Sequence, residues 1–312
     1  MGGIFFVFLC SGRRTSNLSK VMRVFFCLLL SALIARADEC DPQTTAATML
    51  ENETKFVALG KEQGSRAASL ANLADDAIMF EPGPVNAKKK WNERTEAPLA
   101  LSWTPTFAGM ARSCDLGFTT GPAEWRRAKE DEKPLGYGQY ISIWKKQKDG
   151  AWKVVVDVGG AVPSLQKVED PATISISGAP AAELPAAAAK KLRAAEKWLA
   201  DTAKTDSTSA LIGASGEEIR VHREGVFPAN GRRPAALMLS VRRGRLTTEH
   251  LGGDMSAAGD LAYRYGKYTL ELSQKTERGH YLQIWQTDAA GAWKLLVDYE
   301  SPLTPEIKKI GE

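Results

Sequence analysis

One hairpin occurs twice in this chain, in the same register and 141 positions apart. Its first copy is Tyr137-Gly138-Gln139-Tyr140-Ile141-Ser142-Ile143-Trp144, the polar turn Lys145–Gly150, and Ala151-Trp152-Lys153-Val154-Val155-Val156-Asp157. The second is His280-Tyr281-Leu282-Gln283-Ile284-Trp285, the turn Asp288–Gly291, and Ala292-Trp293-Lys294-Leu295-Leu296-Val297-Asp298. Apolar alternation before the turn and an aliphatic run after it read as two paired strands. The same spacing relates Trp144 to Trp285, Trp152 to Trp293 and Asp157 to Asp298. A period this long marks a duplicated domain, because solenoid units run to only about 20–50 residues. The length of 312 residues independently suggests two domains.

The N-terminus reads as a leader and not as part of the fold. Met22-Arg23 precedes the apolar run Val24–Ile34, and Ala35-Arg36-Ala37 supplies an A-x-A cleavage site. Cleavage is expected after Ala37, placing the mature chain in the periplasm or outside the cell. The run is short for a permanent anchor, so no stable membrane insertion is expected after cleavage. Five of the 41 Lys and Arg residues lie in this leader and none of the 37 acids does, leaving 36 bases against 37 acids. The mature chain is therefore near neutral, and its charge gives no reason to expect a nucleic-acid partner. Cys10 and Cys27 leave with the leader, so Cys40 and Cys114 remain as an even pair in an oxidising compartment. A disulfide between them and two free thiols are both open. Three scattered histidines offer no metal-ligand spacing, and no Gly-rich phosphate loop or nucleophile elbow occurs. No metal or cofactor is expected.

The pattern divides into residues 1–37 as leader, 38–160 as a first domain, 161–185 as a Pro/Ala-rich linker and 186–312 as a diverged second domain. Leu50, Phe56, Leu59, Leu70 and Leu73 predict a helix over Thr45–Asp75, broken near Gly64 and closed by Asp75-Asp76. Short strands follow at Ala77–Phe80, Leu99–Pro105, Ala108–Ser113 and Asp115–Trp125, with a short helix at Lys88–Arg94. Helix first and then a long antiparallel sheet is an α+β order. The second domain opens with a helix over Ala186–Lys204. Ile219–His222 takes the place of Ile78–Glu81, and Ala235–Arg242 that of the Trp103 strand. Ile174–Ile176 is read as an edge strand.

Ala77-Ile78-Met79-Phe80-Glu81-Pro82-Gly83, Asp115-Leu116-Gly117-Phe118-Thr119-Thr120-Gly121 and Asp149-Gly150-Ala151-Trp152-Lys153-Val154-Val155-Val156-Asp157 together resemble the NTF2-like superfamily, in particular its SnoaL-like and DUF4440-type branch. The resemblance covers nearly all of the first copy and mainly the last third of the second. It implies two cones, each a curved antiparallel sheet wrapped around a long N-terminal helix, with an apolar pocket at one end. It also implies pairing through the sheets, which a tandem duplication satisfies within one chain; further homo-oligomerisation is left open.

The family includes isomerases, dehydratases and cyclases besides non-catalytic binding domains, so the resemblance alone fixes no activity. In its ketosteroid isomerases a carboxylate after the first strand is the general base, while a phenol on the first helix and a protonated acid on a later strand bind the oxyanion. The base position falls on Glu81, which is otherwise a strand-end carboxylate capping the turn before Pro82. The phenol position falls near Val57, beside Phe56, where no donor stands; the second acid position falls near Tyr140. Trp103, Trp125, Tyr137 and Phe56 are candidate walls for a flat apolar ligand, and the alternative for each is core packing. His222 stands as the second copy's counterpart of Glu81, and His280 is expected to be exposed. Asp115 and Asp76 are expected to satisfy backbone amides or pair with bases. The reading is an exported protein that binds a small, partly apolar molecule in the first domain. A cofactor-independent isomerase, dehydratase or hydrolase using Glu81 is the alternative, and a structural module without a pocket is the third.

Overall fold

The computed structural model describes residues 40–95, 100–127, 133–164, 172–178 and 185–303. The leader and much of the segment read as a linker lie outside the described residues. Asp41 opens the first helix, α1 (Pro42–Gln63): its carboxylate accepts from the backbone N–H groups of Gln43 and Thr44, and Pro42 stands in the first turn, where its missing N–H costs nothing. Gly64 ends α1 at a φ of 92°, a conformation open to glycine, and α2 (Ser65–Asn72) follows. The helix does not reach Asp75-Asp76. The chain enters β1 (Leu73–Phe80) at Leu73, and both aspartates lie on its exposed side. Pairing of this segment with Pro84–Asn86 and with the later strand Trp152–Val162 outweighs the helical spacing that Leu70 and Leu73 suggest.

Next come β2 (Pro84–Asn86), α3 (Ala87–Glu93), β3 (Ala100–Trp103), β4 (Phe107–Met110) and β5 (Leu116–Arg126). The organising hairpin is β6 (Gly136–Lys146) and β7 (Trp152–Val162), and β8 (Thr173–Ile176) lies within the stretch read as linker. The sheet order is β2-β1-β7-β6-β5-β4-β8, with β3 also pairing with β5. Most pairs are antiparallel, but β1 runs parallel to β7 and β8 parallel to β4. The second unit comprises α4 (Pro185–Ala203), α5 (Ser207–Ala214), β9 (Ser215–Arg223), β10 (Ala229–Asn230), α6 (Arg232–Ser240), β11 (Arg245–Met255), β12 (Leu261–Glu271), β13 (Thr276–Thr287) and β14 (Trp293–Pro302). Its order, β10-β9-β14-β13-β12-β11, repeats the first sheet from β2 to β5 and closes with β11.

Two correspondences expected between the copies differ. Residues Ala235–Ser240 belong to a helix, α6, and not to a strand; Pro234 in its first turn and the Ala-Ala-Leu-Met-Leu run favour that state, and α6 matches α3. Met79 pairs with Asp157 while Val221 pairs with Asp298, so the first strands correspond at a spacing of 142 and not 141. The segments joining strand to hairpin differ in length, so the hairpin's register does not carry over. Arg223, not His222, therefore occupies the place of Glu81, and His222 that of Phe80.

Alternation along the hairpins sorts residues between two cores. Leu282, Ile284 and Tyr299 join Ile141, Ile143 and Val156 in one cluster, whereas Tyr281, Trp285 and Leu295 pack with Leu192 and Leu199 of α4. The sheets thus meet back to back with their helices outside. Each large aliphatic side chain buried there contributes roughly 1.5–3 kcal/mol. The edges of this contact are polar. Asp260 accepts from the backbone of Arg112 at 3.0 Å, Asp115 from Ala257 at 3.0 Å, and the Tyr299 hydroxyl donates to Gly159 at 2.6 Å. His280, expected at the surface, is 9% exposed, with its ring 5.9 Å from that of Phe80. Extension of β13 back to Thr276 carries it into the sheet contact.

A disulfide joins Cys40, just ahead of α1, to Cys114 at the β4–β5 turn, 74 residues apart. It ties the first helix to the sheet it packs on. Replacing both cysteines by serine should lower the unfolding free energy by roughly 2–4 kcal/mol in urea titrations. A loss under about 0.5 kcal/mol would show that packing alone positions α1.

Candidate functional site

The helix α1 presents Ala46, Met49, Glu53, Phe56, Val57 and Gly60 to the sheet, all buried. One of these is an acid. Glu53 is fully buried and accepts three hydrogen bonds: from Trp103 Nε1 at 2.5 Å, Trp144 Nε1 at 2.6 Å and Thr119 Oγ1 at 2.6 Å. Burial raises its pKa, and the three donors hold it back.

Above this carboxylate lies a cavity of about 400 Å³ whose walls include Phe56, Trp91, Trp103, Trp125, Tyr140 and Asp157. Phe56 meets Trp103 edge-on at 5.0 Å, and Trp103 lies 6.1 Å from Tyr140. Two glycines make room. A Cβ on Gly136 would fall 2.3 Å from the Trp125 ring, and one on Gly160 would fall 2.7 Å from Glu224 Oε2. Glu224 comes from the second unit; it accepts from the backbone N–H of Ala161 and completes the cavity lining.

Asp157 is half-buried, with the cavity on its open side. Ser142 donates to its Oδ1 at 3.3 Å, and among the described residues it has no cationic partner within salt-bridge distance. Burial first, and then the Glu53 charge, push its pKa to about 7. The Tyr140 hydroxyl is buried and makes no hydrogen bond of good geometry; burial and the nearby Glu53 hold its phenol well above the ordinary value. The site therefore combines an acid that exchanges protons near neutrality, an unpartnered phenol and aromatic walls.

The repeat builds the opposite arrangement. Asp298, the counterpart of Asp157, is buried against Arg223, whose Nη2 lies 2.5 Å from its Oδ2, and it accepts from Gln283 at 2.9 Å. Arg223 also pairs with Glu300 at 3.1 Å. An arginine at the position where the first unit has Glu81 closes this carboxylate off. The second unit's own cleft, about 610 Å³, lies beside α4 and is walled by Arg193, Glu196, His250, Arg264, Tyr281 and Gln283, among others. His222 is buried, and burial together with Arg220 and Arg223 lowers its pKa to about 3. It stays neutral.

Phe56, Trp103, Trp125 and Tyr140 thus meet at one cavity. Tyr137 lies outside the lining. So does Glu81, because the bend after β1 carries it to Arg94, 2.8 Å away, where it remains partly exposed. Sequence reasoning passed over Glu53, Asp157 and Glu224. Glu53 was legible as an acid four residues after Met49 and three before Phe56, on the helix face that is buried. Asp157 was marked by its recurrence as Asp298. Nothing local marks Glu224, which reaches the cavity only through the contact between units. Among the described residues, no group of three or more His, Cys, Asp or Glu side chains is placed to hold a metal.

No family model matches the sequence, and no curated protein does. Among solved structures, the chain is similar to an NTF-2 like protein of unknown function from Shewanella oneidensis MR-1, with 13% identity over 36% of this chain and 97% of that one, at a TM-score of 0.31. It is similar to an NTF2-like protein of unknown function from Pseudomonas putida KT2440, with 13% identity over 38% of this chain and 86% of that one, at a TM-score of 0.32. A ketosteroid isomerase-like protein from Erwinia carotovora atroseptica shows 15% identity over 39% of this chain and 95% of that one, at a TM-score of 0.30. Each unit has an α+β fold. In each unit the leading helices pack on a sheet whose first strand lies parallel to the second strand of the hairpin, and the order from β2 to β5 recurs from β10 to β12. No activity follows from that arrangement.

Two variants probe the contrast between the repeats. Arg223→Met should cost roughly 3–5 kcal/mol of stability, because it leaves buried Asp298 without its cation. A cost below about 1 kcal/mol would mean that Asp298 does not depend on it. Asp157→Asn should do the reverse at alkaline pH. A carboxyl whose folded pKa is raised destabilises the native state progressively as pH rises from its unfolded value through about 7. The Asn variant should therefore gain on the wild type between pH 5 and pH 8, by about 1–2 kcal/mol. Parallel stability curves across that range would place Asp157 in water.

Proposed function

We propose that the protein is exported and that its first unit binds a small, partly apolar molecule in the cavity formed by α1, α3 and the first sheet. The observation that carries this reading is the unpartnered Tyr140 hydroxyl beside Asp157, an acid with no cationic partner among the described residues, both set among aromatic rings in a void of about 400 Å³. Buried polar groups are ordinarily satisfied, and an unsatisfied hydroxyl beside an uncompensated acid at an apolar void is an arrangement a ligand completes. The cavity lies within the usual size range of small-molecule sites, about 300–1,000 Å³. Export is supported by the leader's composition and by the Cys40–Cys114 disulfide, which suits an oxidising compartment.

A catalytic reading draws on one further observation. Asp157, not Glu81, faces the void, with a pKa near 7 suited to moving a proton. In that reading Asp157 takes a proton from a bound carbon acid, and the Tyr140 hydroxyl donates to the oxygen on which charge develops. No metal or nucleotide is called for.

Native mass spectrometry of protein taken from the cell envelope or the medium tests both parts. The expected species begins at Asp38 and carries a bound small molecule that Trp103→Ala loses. A chain retaining its leader would refute export. An empty cavity in protein that also fails to bind small aromatic compounds would refute the binding site.

A further inference from the structure

Resting on that binding site, we propose that its ligand is an organic ammonium ion: a protonated amine bearing a flat apolar group. The charged residues of the lining itself are of one sign. Its described lining contains Glu124, Asp157 and Glu224 and no Lys, Arg or His, and Glu53 lies beneath. Glu124 is already matched by Arg126 at 3.0 Å. Asp157 has no such partner, whereas its repeat counterpart Asp298 has Arg223. The first unit therefore leaves vacant a cationic role that the second fills from its own chain.

The walls suit the same guest. Phe56, Phe80, Trp91, Trp103, Trp125 and Tyr140 line the void, and aromatic rings attract cations to their faces. Arg94 lies over the Trp91 ring at 4.4 Å, so one wall already holds a cation on its rim. Tyr140 is 7% exposed, and its hydroxyl oxygen is unpartnered in the lining. An ammonium N–H donates to Asp157 and to that oxygen, while its apolar body lies between Trp103 and Trp125. Glu224 adds a second carboxylate from the other unit. An anionic guest would meet this set of like charges, and a neutral one would leave Asp157 without a counter-charge.

Isothermal titration with 2-phenylethylamine and 2-phenylethanol, matched in shape but not in charge, tests the proposal at neutral pH. The amine should bind at least about tenfold more tightly. Asp157→Asn should cut that preference to within about threefold while leaving the alcohol's affinity unchanged, and Glu224→Gln should reduce it by about threefold. Equal affinity of the two compounds would overturn the ammonium assignment and leave the binding site standing. Binding of neither compound by folded protein would remove the binding site as well. Should Asp157→Asn also lose the alcohol, Glu224→Gln decides, since Glu224 is exposed and outside the core; an undiminished amine preference there overturns the proposal.

Discussion

A single carboxylate inside the first unit sets both its packing and its electrostatics. Glu53 projects from the middle of α1 into the sheet and is held by two indoles and a hydroxyl from β3, β5 and β6. A buried carboxyl without such donors is strongly destabilising, so the helix has one favourable rotation and depth against these three strands. Met49, Glu53 and Phe56 of α1 are accordingly buried, while Leu50 and Leu59 pack only partly buried at the margin of the same core. The same group lies under the cavity. Its charge is the second-largest cause of the raised pKa values of Asp157 and Tyr140, after burial. Structural anchoring and site chemistry are thus one interaction seen from two sides.

The second unit holds its helix carboxylate differently. Trp285 repeats Trp144, yet its indole N–H is buried with no partner. Its helix α4 buries Ala188, Leu192, Leu199 and Ala203, and Glu196, spaced from Leu192 and Leu199 as Glu53 is from Met49 and Phe56, pairs with Arg264 at 2.8 Å. Polar weight moves instead to the sheet's first strand, where Arg223 binds Asp298 and Glu300, and Arg242 binds Glu300 in turn at 2.9 Å. A buried ion network of this kind fixes geometry more than it adds stability. Duplication kept the hairpin, the strand order and the paired aspartates, and exchanged an ionisable cavity for a closed ion cluster.

Much of this architecture was readable before the structure, because the hairpin carries period-2 patterning, a defined turn and a second copy for comparison. The break at Gly64 was readable for a local reason, since glycine alone tolerates that backbone conformation comfortably. The misreadings came where local pattern competes with tertiary context. Asp75 and Asp76 look like a helix terminus, yet β1 already runs through them because their neighbours pair with β7. Glu81 stands where the sequence resemblance puts a base, but the bend after β1 sends it to Arg94. The site's own acids were hidden by type. Glu53 reads as one more polar residue in a helix rich in them, and only the two indoles opposite reveal its role.

Glu224 shows why the duplication bears on function and not only on stability. In a symmetric pair of identical units, each cavity would meet the same residue from its neighbour. Here the two halves have diverged, so the first unit's cavity receives a carboxylate that the first unit's own corresponding segment need not supply. Gly160, whose missing side chain leaves space for that carboxylate, and Ala161, whose N–H holds it, lie at the end of β7. β7 also carries Asp157. Packing of the two sheets therefore positions the far wall of the site. A change that loosened the Tyr299–Gly159 contact would act on that wall as directly as a substitution in the cavity.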